Sequence, residues 1–338
     1  MHQPGKDTTT GEHLLEVEGL RTTFRSARGP VTAVNGISFH IDAGEIVGMV
    51  GESGCGKSAT ALSLMRLIPE PPGKVAADLI RFRGENLLAF SGAKLRDLRG
   101  KDISMVFQDP MTSLNPMLRI RRQMTEGLRL HLKLGKHEAL DQAVEMLRLV
   151  GIPAAERRIH DYPHQLSGGM RQRVVIAIAL SCNPALILAD EPTTALDVTI
   201  QAQILELMRS IMRERNTAVM LITHDLGVVA GMCDRVLVMY AGSIVEEASR
   251  RDIFYSPRHP YTVGLLRSVP RLDRERAERL PQIEGVPPDL AQLPMGCSFQ
   301  ARCPFVTEVC RRQIPELRTI GTGHRIACHH DITRVDAA

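Results

Sequence analysis

The sequence predicts an α/β protein built on a parallel sheet, with a helical insert and a small cysteine-bearing C-terminal tail. Three observations carry this expectation. A glycine-rich loop lies between an apolar strand and a helix at residues 46–67, a strand, helix, strand order recurs across 185–223, and the composition shifts to repeated prolines and arginines after Ser256-Pro257. The first is the layout of a phosphate-binding unit. The second implies parallel pairing, because parallel strands need a long crossover that is usually a helix. The third marks a linker.

The bulk properties set outer limits. With 338 residues, 43% of them hydrophobic, the chain buries at least one full core, and its length alone points to about two domains. The net charge of +4 comes without the concentrated basic run or face of a nucleic-acid binder, so no nucleic-acid partner is expected. No stretch reaches the ~18 apolar residues of a membrane-spanning helix, and residues 1–10 are polar, without a signal-peptide core. The expected location is therefore cytosolic, with membrane contact only through other proteins.

Residues 14–50 alternate apolar and polar positions in three runs, LLEVEGL, VNGISFHI and EIVGMV. They are interrupted by turn signals at Arg28-Gly29-Pro30 and Asp42-Ala43-Gly44, and read as strands. Residues 59–67 read as a helix. Residues 109–182 lose the β pattern, and 138–150 carry apolar positions at helical spacing, which predicts a helical insert. Two buried strands follow, 185–189 and 218–223, flanking a helix over 200–214; a further strand, 235–240, turns at Ala241-Gly242. The expected organisation is a catalytic domain over 13–255, with its helical part at about 109–182, and a tail over 256–338. No internal repeat is visible.

Gly51-Glu52-Ser53-Gly54-Cys55-Gly56-Lys57-Ser58 fits the P-loop pattern, directly after the strand EIVGMV as the chemistry requires. Glycines let backbone N–H groups wrap the phosphates, Lys57 neutralises the β/γ oxygens, and Ser58 can ligate Mg²⁺. The nucleotide-binding set read here is Gly51, Ser53, Gly54, Cys55, Gly56, Lys57, Ser58 and Ala59, with Cys55 only a small loop residue. The strand 185–189 delivers Asp190 and Glu191 at its carboxyl end, where a parallel sheet places its ligand crevice. Asp190 suits Mg²⁺, directly or through water, and Glu191 suits polarising an attacking water. Ser167-Gly168-Gly169, directly before a helical run, forms an anion site from orphan N–H groups, or alternatively an ordinary N-cap.

The order of parts is more specific than any one of them. GESGCGKS, Gln108 in MVFQDP, LSGGM, ILADEP, the segment Ala195-Leu196-Asp197, and His224 in LITHD together resemble the ABC ATPase family. The resemblance implies a P-loop NTPase core of RecA-like type with an antiparallel β subdomain and a helical subdomain. It also implies two ATP molecules sandwiched head to tail, so that the P-loop of one subunit faces Ser167, Gly168 and Gly169 of the other. Met170 departs from the family's usual LSGGQ, but its side chain is not among the N–H and hydroxyl donors. By the same resemblance Phe24 stacks on adenine, the alternative being a core residue of an edge strand. Gln108 senses Mg²⁺ and the attacking water, the adjoining DPMTSLNP meets a permease, and His224 contacts the γ-phosphate.

The tail separates branches of the family. RHPYT at 258–262, then GLLRSVP and GCSFQARCPF, are similar to the C-terminal extension of ATPases serving oligopeptide and dipeptide importers; the resemblance covers about 320 of the 338 residues. It implies two permease subunits, a second ATPase subunit that is a paralogue or a second copy, and an extracytoplasmic substrate-binding protein as an indirect partner. The place of work is then the cytoplasmic face of the inner membrane. A soluble ABC ATPase of DNA repair or translation is the competing reading, but such members commonly fuse two cassettes or carry long inserts that are missing here.

Cys297, Cys303, Cys310 and Cys328 are spaced x5, x6 and x17, with Pro304 after Cys303. In a reducing compartment four such thiols read as a metal site. Close CxxC knuckles favour zinc, whereas this wider spacing favours a 4Fe-4S cluster, zinc being the alternative and unligated reduced cysteines the remaining reading. A tail this small buries too little to offset its chain entropy, so a metal staple is expected. His324, His329 and His330 are expected as basic surface residues around it, substitute ligands being the alternative, and the cluster lies outside every ATP motif.

Overall fold

Apolar runs that are buried on both faces become the central strands of a parallel sheet, and three runs here qualify. The computed structural model describes residues 13–27, 29–109, 113–193, 198–268, 283–330 and 332. Two strands, β1 (Leu15–Ser26) and β2 (Gly29–Ile41), open the chain as an antiparallel pair, followed by β3 (Ile46–Val50). β4 (Gly73–Ala76), β5 (Leu79–Phe82) and β6 (Glu85–Asn86) complete a five-stranded sheet of order β2-β1-β5-β6, with β4 also on β1.

The second sheet has eight strands. It is built from β3, β7 (Ile103–Val106), β8 (Leu186–Asp190), β9 (Ala218–Thr223), β10 (Arg235–Tyr240), β11 (Ser243–Ser249), β12 (Arg318–Gly321) and β13 (His324–Ile326). The order is β12-β13-β11-β10-β3-β9-β8-β7. β10, β3, β9, β8 and β7 run parallel, and β11, β13 and β12 continue the sheet antiparallel. All residues of β3, β8 and β9 are buried.

Alternation along β3 divides the core. Val47 and Met49 face a cluster shared with the five-stranded sheet, including Leu15, Val34 and Phe39, while Ile46 and Val50 face the helices. The helical insert lies between β7 and β8. In helix Ile120–His131 the residues Ile120, Met124 and Leu128 are buried, a four-residue repeat that puts one stripe on the core. Helix Lys136–Leu149 buries Ala139, Ala143, Met146 and Leu147 in the same way, and helix Gly168–Leu180 packs between them and the sheet. Helix Val198–Arg215 makes the crossover from β8 to β9.

The tail is joined to this sheet by strand pairing and by buried ion pairs. β11 carries two consecutive buried glutamates, Glu246 and Glu247, which a strand must send to opposite faces. Burying a carboxylate is costly unless it is paired, and both are paired by residues from the chain's C-terminal third. Glu246 accepts from the backbone N–H of Arg258 at 2.7 Å and of His259 at 3.0 Å, and bonds His324 Nε2 at 2.8 Å. Glu247 accepts from Arg325 at 3.0 Å and also bonds Arg235.

His324 is therefore buried on Glu246 rather than displayed at the surface. His259 is buried as the neutral imidazole: its Nδ1 accepts from the N–H of Tyr261 at 3.1 Å, capping helix Pro260–Arg267. Burial pushes its pKa down to about 4 against the opposing influence of Glu246. Apolar packing completes the join. Phe299 sits edge-on to Tyr240 at 5.2 Å and to Tyr261 at 5.5 Å, and Tyr240 and Tyr261 are 4.5 Å apart. Such aromatic pairs contribute about 0.5–1.5 kcal/mol each beyond their area.

Candidate nucleotide site

Four neighbouring parallel strands, β3, β9, β8 and β7, end on the same side of the sheet, and each delivers a piece of the site from its carboxyl end. β3 runs into the P-loop, β8 ends at Asp190 with Glu191 next, β9 leads to His224, and β7 leads to Gln108. The loop's glycines are required by close approach. A Cβ on Gly51 would sit 2.1 Å from the Met239 carbonyl, and one on Gly56 would sit 2.1 Å from the carbonyl of Ala33. Gly56, at φ 108°, then starts helix Lys57–Leu64, two residues earlier than the sequence reading placed it.

Lys57 lies folded over its own loop and is 5% exposed. Its Nζ donates to the carbonyls of Gly51 at 2.8 Å and Glu52 at 2.9 Å, with Cys55 Sγ 3.8 Å away. This holds the ammonium at the centre of the loop. Ser58 Oγ donates to Asp190 Oδ1 at 3.0 Å, so the hydroxyl and carboxylate suited to one magnesium ion already lie side by side. Burial pushes the Asp190 carboxyl above the usual carboxylate range; Ser58 and Lys57 oppose that shift, and the charge of Glu191 adds to it. A bound cation reverses that balance and favours the carboxylate.

Glu191 has a backbone φ of 45°, unusual for a residue with a side chain, and its N–H donates to Ile222 O of β9 at 2.9 Å. That turn aims its carboxylate between two further predicted residues. Gln108 Nε2 donates to Oε2 at 3.1 Å, and His224 Nδ1 lies 3.2 Å from Oε1. The His224 side chain is 57% exposed and that of Glu191 15%, so the pair opens to the side from which a third group can arrive. The structure thus brings together Lys57, Ser58, Asp190, Gln108, Glu191 and His224.

The predicted residues outside the loop and its helix, Ser167, Gly168, Gly169 and Phe24, belong to other elements. Ser167 caps helix Gly168–Leu180, its Oγ accepting from Met170 N–H at 3.3 Å. Ser167 and Gly168 are exposed, and Met170 packs against the helical core instead of joining the donors. Gly169 is needed because a Cβ there would meet Ile200 at 2.9 Å. Phe24 lies half-buried on β1 between Val31 of β2 and Gly73 of β4, in the interior of its sheet rather than on an edge. Two residues along β2 from Val31, the Ala33 carbonyl touches the loop at Gly56, so this end of the sheet adjoins the P-loop. Ala195, Leu196 and Asp197 lie outside the described residues, as do Pro110, Met111 and Thr112 of the DPMTSLNP segment.

The four tail cysteines are drawn towards one place. Cys310 and Cys328 are buried, Cys297 and Cys303 half-buried. Cys297 N–H donates to the Cys310 carbonyl at 2.7 Å, and His330 joins the two ends, with its N–H on Cys328 Sγ at 3.4 Å and its Nε2 3.5 Å from Cys310 Sγ. Burial, with Cys328, Cys297 and Cys310 close by, pushes the Cys303 thiol up to about 11. The same segment also reaches the P-loop, which sequence reasoning missed: Arg302 and Tyr261 both bond Glu52. The tyrosine stands in the RHPYT run that was singled out, but nothing local in the sequence marks Arg302.

Known proteins resemble this chain along most of its length. Residues 34–194 match the family described as "ABC transporter", and 245–310 match "Oligopeptide/dipeptide transporter, C-terminal region". The oligopeptide transport ATP-binding protein OppD of Salmonella typhimurium is 53% identical over 315 residues, covering 93% of each chain. The chain belongs to the ATP-binding subunits of ABC transporters. The dipeptide transport ATP-binding protein DppD of Bacillus subtilis is likewise 53% identical, over 317 residues and 94% of each chain. Among solved structures, the ATP-binding cassette MJ0796, dimeric in a post-hydrolysis state with ADP and Pi, aligns with a TM-score of 0.61 at 28% identity, over 70% of this chain and 99% of that one. Membership makes this chain an ATPase, and the family fold is the arrangement of parallel core, antiparallel sheet and helices described above. Among the described residues no helix is long and apolar enough to cross a membrane.

Proposed function

We propose that this ATPase powers the import of di- or oligopeptides, or related solutes, through two separate permease subunits at the cytoplasmic face of the inner membrane. The observation that carries the reading is the match of 245–310 to the oligopeptide/dipeptide transporter C-terminal region, which distinguishes this branch from cassettes of repair or translation. Lys57 and the P-loop N–H groups hold the ATP phosphates, Ser58 and Asp190 hold Mg²⁺ with Gln108 beside it, and Phe24 stacks on the adenine. Glu191, fixed by Gln108 and His224, polarises the attacking water. Exposed Ser167 and Gly168, with half-buried Gly169, serve the ATP held by a second ATPase subunit, a paralogue or another copy, in keeping with the dimeric cassette of similar fold. Expression with its neighbouring permease genes is expected to give a complex whose ATP hydrolysis rises when peptide-loaded binding protein is added. Purification with no permease, or hydrolysis indifferent to peptide, would refute the importer reading.

The four tail cysteines are assigned to a 4Fe-4S cluster, which when bound supplies cross-links between four stretches of chain. What supports a shared group is that His330 reaches both Cys310 Sγ and Cys328 Sγ while Cys297 N–H bonds the Cys310 carbonyl. Anaerobically purified protein is expected to carry about four irons per chain, and Cys303→Ser to lose them. One zinc per chain would put the other metal in the site, and no metal would remove the assignment.

A further inference from the structure

Within GESGCGKS, Glu52 is the residue for which phosphate binding supplies no task. The structure gives it partners from far along the chain. Arg302 donates from Nη1 to Oε2 at 2.6 Å and from Nη2 to Oε1 at 2.9 Å, the parallel two-bond pairing of guanidinium and carboxylate. Tyr261 Oη accepts from the Glu52 N–H at 2.9 Å. On its inner side, the Glu52 carbonyl accepts from Lys57 Nζ. Residue 52 is thus held at its N–H, its carbonyl and its carboxylate.

This pair differs from a surface ion pair of little worth. The Arg302 side chain is 4% exposed, and its remaining donors are directed as well: Nε to the Glu284 carbonyl at 3.0 Å, Nη2 also to that of Ile283 at 3.2 Å, and Nη1 also to Tyr240 Oη at 3.4 Å. Its guanidinium cannot swing away without leaving buried donors unpaired, a loss that outweighs the small net value of each bond. Tyr261 is fully buried against Tyr240 and Phe299. Both groups therefore present fixed positions to the P-loop.

We propose that Arg302 and Tyr261 are positioning residues of the ATPase, acting through Glu52 to fix the loop and, through the Glu52 carbonyl, the Lys57 ammonium. The C-terminal extension is then part of the nucleotide site. Arg302 stands directly before Cys303 and five residues after Cys297, so the segment that carries two of the four thiols also holds the loop. The proposal rests on the nucleotide site described above and is independent of which solute is carried.

The test is equilibrium binding of a fluorescent ATP analogue to the full chain, with KM and kcat measured in the assembled transporter. Arg302→Ala and Glu52→Gln are each expected to weaken ATP binding by about tenfold, and to raise KM more than they lower kcat. The double variant should be no worse than the weaker-binding single, because both act on one contact. Arg302→Ala removes a buried side chain, so Glu52→Gln, which keeps shape at a partly exposed position, is the companion that leaves the tail docked. Tyr261→Phe should weaken binding by a smaller factor. Affinities within twofold of wild type for Glu52→Gln and Arg302→Ala, or losses that add in the double variant, would overturn the proposal. Lys57→Ala is the control: if it bound ATP normally, the nucleotide site itself, rather than its positioning, would be wrongly placed.

Discussion

Replacing Glu191 by glutamine is expected to lower steady-state ATP hydrolysis by about 10² or more while ATP affinity stays within roughly threefold. The amide keeps the side chain's length and retains an oxygen for the Gln108 Nε2 donor now at 3.1 Å. What it loses is the charge that orients and deprotonates a water. The backbone turn at φ 45°, tied to β9 through the Ile222 carbonyl, keeps the side chain in place in either form. Binding and chemistry should therefore separate, and ATP should accumulate on a closed dimer. Hydrolysis by the assembled transporter within threefold of wild type would assign the water to another group.

Lys57→Ala is expected to act one step earlier, weakening ATP binding by ~10- to 100-fold and hydrolysis with it, since charge-assisted bonds to phosphate are the strong class of polar contact. The ammonium's present partners are uncharged groups of its own loop, the carbonyls of Gly51 at 2.8 Å and Glu52 at 2.9 Å and the Cys55 sulfur at 3.8 Å. The substitution therefore strands no buried charge and should leave the fold intact. Equilibrium titration with ATP decides the matter, and unchanged affinity would contradict the P-loop role.

The residues that the structure gathers at the carboxyl ends of β3, β7, β8 and β9 were legible in the sequence because each sits at the end of a local pattern. Residues 218–223 and 235–240 are strands with the limits that their apolar runs implied, since turn residues bound them on either side. Residues 185–189 shifted by one to Leu186–Asp190, bringing Asp190 into the strand. The helix behind the P-loop started early because a left-handed glycine, and not apolar content, ends the loop. The tail was less legible. Its prolines and sparse apolar residues suggested a separate module, yet its anchors are charges and rings that pair across the chain: His324 with Glu246, Arg325 with Glu247, Phe299 with Tyr240 and Tyr261. Those pairings have no local periodicity, so the nearness of Arg302 to the P-loop, 250 residues from Glu52, had no signature to read.

The antiparallel end of the eight-stranded sheet bears on solubility. A long open strand invites pairing with another chain, and proteins blunt such edges with short, charged or covered strands. β11 would be such an edge, seven residues long and buried over its five central residues, 244–248. β13 covers it, and β12 leaves as the final edge a four-residue strand that begins with the exposed Arg318. A chain cut before this hairpin would expose a ready template for intermolecular strand addition, so the extension also keeps the ATPase from aggregating with its own kind.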